Sequence, residues 1–186
     1  VIAQTLSQTY FPIKTLRHFA NKGIGACYKD ALKIANGDFF TWFPADYENS
    51  VEELINCFSS VSEISVVTSH HAGNDNRPFY RRLVSHTYTR ILNAYFKINL
   101  NYFNGLTIAP RKVLNKLNLC SEGFTFSAEI IIRLVKLGYP IVERSYPLRG
   151  RNLGKSKAFS LSSITRAIKD FWCIHKKIRI CEQSNI

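Results

Sequence analysis

The stretch from Asn21 to Glu48, NKGIGACYKDALKIANGDFFTWFPADYE, constrains the fold more than any other part of the chain. It sets a glycine-punctuated helix start, a helix, a buried strand and an acidic strand tip in direct succession. Ile24, Cys27, Tyr28, Ala31, Leu32 and Ala35 recur at helical spacing, which gives the helix one buried face, and Asn36-Gly37 supplies its stop. Phe39 to Phe43 then reads as a buried strand. A helix start offers free backbone N–H groups to a phosphate, and an acid just past the carboxyl end of the next strand is placed to hold a divalent cation.

The same alternation continues downstream and predicts an α/β layered domain with a mainly parallel sheet. Ser50 followed by Glu53 reads as a capping box, with Val51, Leu54, Ile55 and Phe58 as the apolar face of the helix it opens. Strands are expected at Lys14–Phe19, Ile64–Thr68, Gly105–Ala109 and Tyr139–Tyr146. A polar loop covers His70 to Arg77, and Pro78 then opens a long helix carrying Val84, Tyr88, Ile91, Leu92 and Tyr95. A short helix is expected over Pro110–Leu117, and another with Phe126, Ile130, Leu134 and Leu137 inward, stopped at Gly138. Ile164, Ile168, Phe171 and Trp172 define a last amphipathic helix over Leu161–Ile180, with Lys169, Lys176, Lys177 and Arg179 beside them.

At 186 residues and 46% apolar content the chain can bury a core and fits one globular domain. A net charge of +12 implies an anionic partner: nucleic acid, an acidic membrane face or phosphorylated small molecules. No nucleic-acid-binding motif is readable, and the aromatics fall at core spacings rather than on a stacking platform. Five scattered cysteines without a CxxC pair argue against zinc and a dense disulfide framework, and a reducing, cytosolic setting is expected. No run of about 18 apolar residues spans a membrane. The chain contains no methionine, even at position 1, so a fragment or processed product is expected.

Asp46 and Glu48, two apart on an extended tip, are candidate ligands for Mg²⁺ or Mn²⁺. Acids ahead of a helix also serve as caps or solvated turn residues. Asn21, Gly23 and Gly25 permit close approach of a phosphate, or simply pack a helix start on the sheet. Arg77, Arg81 and Arg82 form one basic cluster and Arg149, Arg151, Lys155 and Lys157 a second; guanidinium groups match phosphate geometry, while each arginine alone equally suits a solvated surface. Glu129 lies four residues before Arg133, which makes it half of an i,i+4 pair or a carboxylate at an active-site rim. The five histidines read as loop or surface residues.

Taken together, Asn21-x-Gly23-x-Gly25, Ala35-Asn36-Gly37-Asp38, Pro44-Ala45-Asp46-Tyr47-Glu48, Asn104-Gly105, the Gly123–Glu129 block and the Arg151–Lys157 block, in this order and spacing, resemble the family 2 glycosyltransferases. The resemblance is particularly to the branch of dolichol-phosphate mannose synthase and bacterial polyprenyl-phosphate glycosyltransferases. The resemblance covers residues 14 to 157 and implies the GT-A fold, a Rossmann-like three-layer sandwich. It implies inverting transfer of a sugar from UDP-sugar or GDP-mannose to an acceptor such as a polyprenyl phosphate, with Mg²⁺ or Mn²⁺. Asp46 takes the place of the family's second metal-tip Asp and Glu48 the polar position after it, while Pro44 stands where the first Asp is usual. Asp46 and Glu129 are then the catalytic candidates, and Asn21, Gly23, Arg81, Arg82, Arg151 and Lys157 the donor- and phosphate-binding ones. The family's first strand and acidic nucleotide-binding turn would precede Val1.

This reading divides the chain into a partial GT-A domain over 1–157 and a basic amphipathic helix and tail over 158–186. The last helix either packs on the domain's own core or rests on an anionic membrane surface; the expected setting is cytoplasmic, and in the second case peripheral on the membrane face where a cell-envelope lipid is reached. The competing expectation, motivated by Pro44, is a GT-A-fold protein that binds nucleotide or a partner without transfer.

Overall fold

Alternating apolar residues in the strands decide how the layers form. The computed structural model describes residues 13–45, 49–71, 78–146 and 161–183, with no side-chain detail at 71, 161–164 and 180–183. In chain order the elements are α1 (Ile24–Ile34), β1 (Phe39–Phe40), α2 (Val51–Phe58), β2 (Val66–His71), α3 (Phe79–Phe96), β3 (Thr107–Pro110), α4 (Arg111–Leu114), α5 (Phe126–Lys136), β4 (Ile141–Tyr146) and α6 (Leu161–Gln183). The four described strands form a sheet in the order β1-β3-β2-β4.

Successive strand side chains point to opposite faces. Phe40, Val66, Ala109 and Ile141 meet Tyr28 and Leu32 of α1 and Phe126, Ile130 and Leu134 of α5 on one face. Phe39, Val67, Ile108 and Val142 meet Leu54 and Cys57 of α2 on the other. The result is the expected three-layer sandwich. A further apolar cluster covers the far side of α5, where Ala128, Ile131 and Ile132 pack with Leu92 and Phe96 of α3 and Ile174 and Ile178 of α6. Helix α5 is therefore buried on both sides, and every residue from Phe126 to Leu134 is out of solvent.

β2 and β4 pair in parallel from Val66↔Ile141 to His71↔Tyr146. β3 runs antiparallel to both β1 and β2, so β1, β2 and β4 share one direction with a reversed strand between them. Two of the three pairings among the described strands are antiparallel, so the sheet is mixed rather than mainly parallel as expected. β2 reaches His71, so His70 is a strand residue rather than part of the expected loop.

Lys14–Phe19 is not a strand. Ile13, Leu16 and Phe19 are exposed, and no described strand lies beside them to complete a ladder. Gly138, at φ 85°, ends α5: Tyr139 N–H donates to Leu134 O and Gly138 N–H to Val135 O, a Schellman stop. Cys120 and Cys173 come within a Cα separation of 6.6 Å and form a disulfide, a single bridge rather than a dense framework but one that the expected reducing setting did not foresee. The sequence separation of 53 hides that pairing from sequence spacing.

Candidate active site

The connections fix one end of the sheet as the place where loops collect. α1 leads into β1 and α5 into β4 through short links, so the amino ends of both helices lie at the carboxyl ends of the parallel strands. α2 begins at that end after β1, α3 begins there after β2, and reversed β3 starts there. In open α/β sheets, ligands bind at this end.

The tip of β1 leads through Trp42, whose ring packs edge-on to Phe126 at 5.5 Å, to Phe43, Pro44 and Ala45. With Asn49, Ser50, Val51 and Glu52 these last three line a cleft. Asp46 and Glu48, the candidate metal ligands, fall between these segments and lie outside the described residues. The expected cap of α2 is present, Ser50 Oγ accepting from Glu53 N–H at 3.1 Å. The Glu53 side chain turns inward and is buried, and desolvation pushes its carboxyl up to about 7 against the opposing pull of its hydrogen bonds, that from Asn49 foremost. Asn49 Nδ2 contacts both Glu53 Oε2 (3.0 Å) and the hydroxyl oxygen of Tyr146 (2.9 Å). Asn49 directly follows the acidic tip and Tyr146 is the last residue of β4, so this contact joins the origins of the acidic tip and the basic loop. Arg151 and Lys157, expected on that loop, lie outside the described residues. The sequence offered no signal for the Asn49–Tyr146 contact beyond two polar groups at element ends.

At the start of α1, Asn21 Oδ1 accepts from Gly23 N–H at 2.9 Å, and Gly25 N–H donates to Glu122 O at 2.9 Å. A Cβ on Gly25 would stand 2.6 Å from Ser121 O, and one on Gly23, at φ 90°, 2.4 Å from Glu122 O. Of the two uses open to this turn, the geometry displays the packing one: the glycines let the helix start touch the backbone of 121–122. The N–H groups of Gly23 and Gly25 are engaged and not free for phosphate.

Glu129 requires a correction. Its side chain is fully buried, 0% exposed, rather than at a solvent-facing rim. Its carboxylate accepts from Cys120 N–H at 2.9 Å, Ser121 N–H at 2.8 Å and Arg133 Nη1 at 3.2 Å. Arg133 also donates to Asn118 O at 2.8 Å. The i,i+4 pair is real, and it clamps the segment 118–121. A run of Ile130 to Ile132 beside Glu129 was the sequence sign of burial all round.

Arg81 and Arg82 occupy the first turn of α3, half-buried, with the Arg82 guanidinium 6.0 Å from the Phe79 ring. Gly105 lies hard against β2: a Cβ there would come within 1.8 Å of Ser69 O, and Leu106 N–H donates to Ser69 Oγ at 2.8 Å. Arg82 Nε, Asn104 Oδ1, Ser121 Oγ and Trp42 Nε1 are all buried without a hydrogen-bond partner among the described residues. All four belong to segments at the loop-bearing end of the sheet. α6 reaches the same end, where Asp170 accepts from Thr125 Oγ1 and Arg166 packs beside Gly123. Both were missed in the sequence because only the fold brings the last helix there.

Residues 1–117 match the family described as Glycosyl transferase family 2. The chain belongs to that family. The family 2 chain is 27% identical over 174 residues to a dolichol-phosphate mannosyltransferase of Pyrococcus furiosus, covering 89% of this chain and 49% of that protein. It thus spans about half the length of the curated relative. Glucosyl-3-phosphoglycerate synthase from Mycobacterium tuberculosis shares its fold. The complex with phosphoglyceric acid gives a TM-score of 0.61 at 19% identity, over 88% of this chain and 57% of that one. The complex with Mg²⁺ and UDP gives 0.59 at 19% identity over the same shares, 88% and 57%. The family 2 chain therefore has the α/β GT-A fold. Among its described residues no helix is long and apolar enough to cross a membrane.

Proposed function

We propose that this chain forms part of an inverting glycosyltransferase that moves a sugar from a nucleotide-diphosphate donor, UDP-sugar or GDP-mannose, to a polyprenyl phosphate. The observation that carries the reading is the concentration of family-motif residues and unpartnered buried polar atoms, Arg82 Nε and Asn104 Oδ1 among them, at the carboxyl end of the sheet. Buried polar groups are normally paired, so this end is chemically suited to a polar ligand. The relative from P. furiosus, a dolichol-phosphate mannosyltransferase, supports a lipid-phosphate acceptor.

The burial of Glu129 favours the same acceptor class. A sugar hydroxyl would need a base, and the leading candidate for that base is enclosed among N–H donors. A phosphate acceptor is already an anion at neutral pH, so positioning by cations replaces proton removal. Arg81 and Arg82, together with Arg151 and Lys157, are the cations for that task.

Asp46 and Glu48 would hold the Mg²⁺ or Mn²⁺ ion, their hard carboxylate oxygens suiting either metal. Bound there, the ion supplies charge neutralisation to the diphosphate leaving group. The structural neighbours crystallised with Mg²⁺ or Mn²⁺ and UDP support a divalent ion as the cofactor. On α6, Ile168, Lys169, Trp172, Lys176 and Arg179 share the exposed face, an aromatic and cationic surface suited to the edge of an anionic membrane.

The full-length protein, given nucleotide sugars, polyprenyl phosphate in anionic vesicles and Mg²⁺ or Mn²⁺, is expected to release nucleoside diphosphate and form glycolipid. Asp46→Asn should lower turnover by roughly a hundredfold or more. Unchanged turnover would remove Asp46 from the metal site. Pro44 favours a second reading, nucleotide binding without transfer, which calorimetric binding of UDP or GDP with no product by mass spectrometry would establish.

A further inference from the structure

A second constellation lies on the outer side of α1. Cys27 sits in the helix's first turn and its thiol is exposed. Its Sγ is 3.6 Å from His18 Nδ1, and His18 Nε2 is 3.1 Å from Asp30 Oδ2. Lys33 Nζ donates to Asp30 Oδ1 at 2.8 Å. The three functional groups therefore stand in line as nucleophile, base and orienting carboxylate, the arrangement that activates a weak nucleophile.

The partners fix the proton positions. An ionised carboxylate only accepts, so His18 Nε2 carries the ring proton toward Asp30 and Nδ1 presents its lone pair to the thiol. Asp30 stays ionised because the hydrogen bond from Lys33, then that from His18, hold its carboxyl below the usual range, with the charges of Lys33 and Lys22 adding to the effect. The amino end of α1 also favours negative charge on a first-turn sulfur. None of this is used by the candidate transfer site.

We propose that Cys27 is a modification site, a nucleophilic thiol activated by His18 and Asp30 that exchanges with low-molecular-weight disulfides. Cys27 Sγ attacks one sulfur of the small disulfide while its proton passes to His18 Nδ1. The S–S bond of the reagent breaks, and the departing thiolate takes the proton back from His18. Cys27 ends as a mixed disulfide, oxidised, and the released half of the reagent is reduced to a thiol, so no other oxidant enters.

Cys57 provides a comparator within the molecule, since it is free, buried and 1% exposed. The folded protein would be treated at neutral pH with oxidised glutathione, quenched at intervals and mapped by peptide mass spectrometry. Cys27 is expected to be thiolated roughly tenfold faster than the same residue in urea-denatured chain, and His18→Gln to remove that advantage. Asp30→Asn, which keeps the shape but loosens the imidazole, should give an intermediate rate. A Cys27 rate equal in folded and denatured protein overturns the proposal, as does an unchanged rate in a folded His18→Gln protein. The denatured-chain comparison needs no variant, so a misfolded substitution leaves the test intact.

Discussion

Glu129 carries two backbone donors and one guanidinium on a single buried carboxylate. Replacing it by alanine would leave the N–H groups of Cys120 and Ser121 without their acceptor and the Arg133 charge enclosed and half-paired. Glu129→Ala is expected to lose about 3–5 kcal/mol of stability, read from the urea midpoint. Glu129→Gln keeps an acceptor oxygen and should lose less, with turnover reduced in proportion to folded protein; selective loss of turnover at unchanged stability would restore Glu129 as a catalytic group. The sequence made the pairing with Arg133 legible, because spacing alone sets i,i+4 neighbours. The run Ile130–Ile132 hinted at burial all round, but which elements enclose Glu129 was not legible, because that depends on the sheet on one side of α5 and on α3 and α6 on the other. Asn21 and Gly23 show the same limit: the turn was readable, while the backbone packed against it, at Ser121 and Glu122, lies far along the chain.

At the scale of elements, α2 is stabilised by its cap and strained by what the cap residue's partner buries. The Glu53 carboxyl rises from 4.5 to about 7 on burial, so the folded chain holds that proton more tightly than the unfolded one. The stability linked to it is complete below about pH 4.5 and is lost as pH rises through about 7. The urea midpoint should therefore fall as pH rises from 4.5 to about 7, and Glu53→Gln should flatten that slope. Asp170 on α6, also raised chiefly by burial, shifts the balance in the same direction, so a residual slope remains. Helix limits were largely readable from apolar spacing and from Ser50, Pro78 and Gly138. The direction of β3 was not, because alternation tells which face a residue takes and says nothing of which way the strand runs. The expected strand at Lys14–Phe19 failed for a related reason, since a strand exists only beside a partner.

Across the whole molecule, the segment 118–125 joins parts that are far apart in the chain. α1 reaches it through Gly25 and Glu122, α5 through Glu129 and Arg133, and α6 through Asp170 and the Cys120–Cys173 bridge. The bridge closes a covalent ring. A protease that cuts once anywhere between Cys120 and Cys173 opens the ring without dividing the molecule. Such nicked protein should run as a single full-mass band on a denaturing gel without reductant and as two fragments after reduction. Two bands before reduction would mean that the bridge is absent from the protein as isolated.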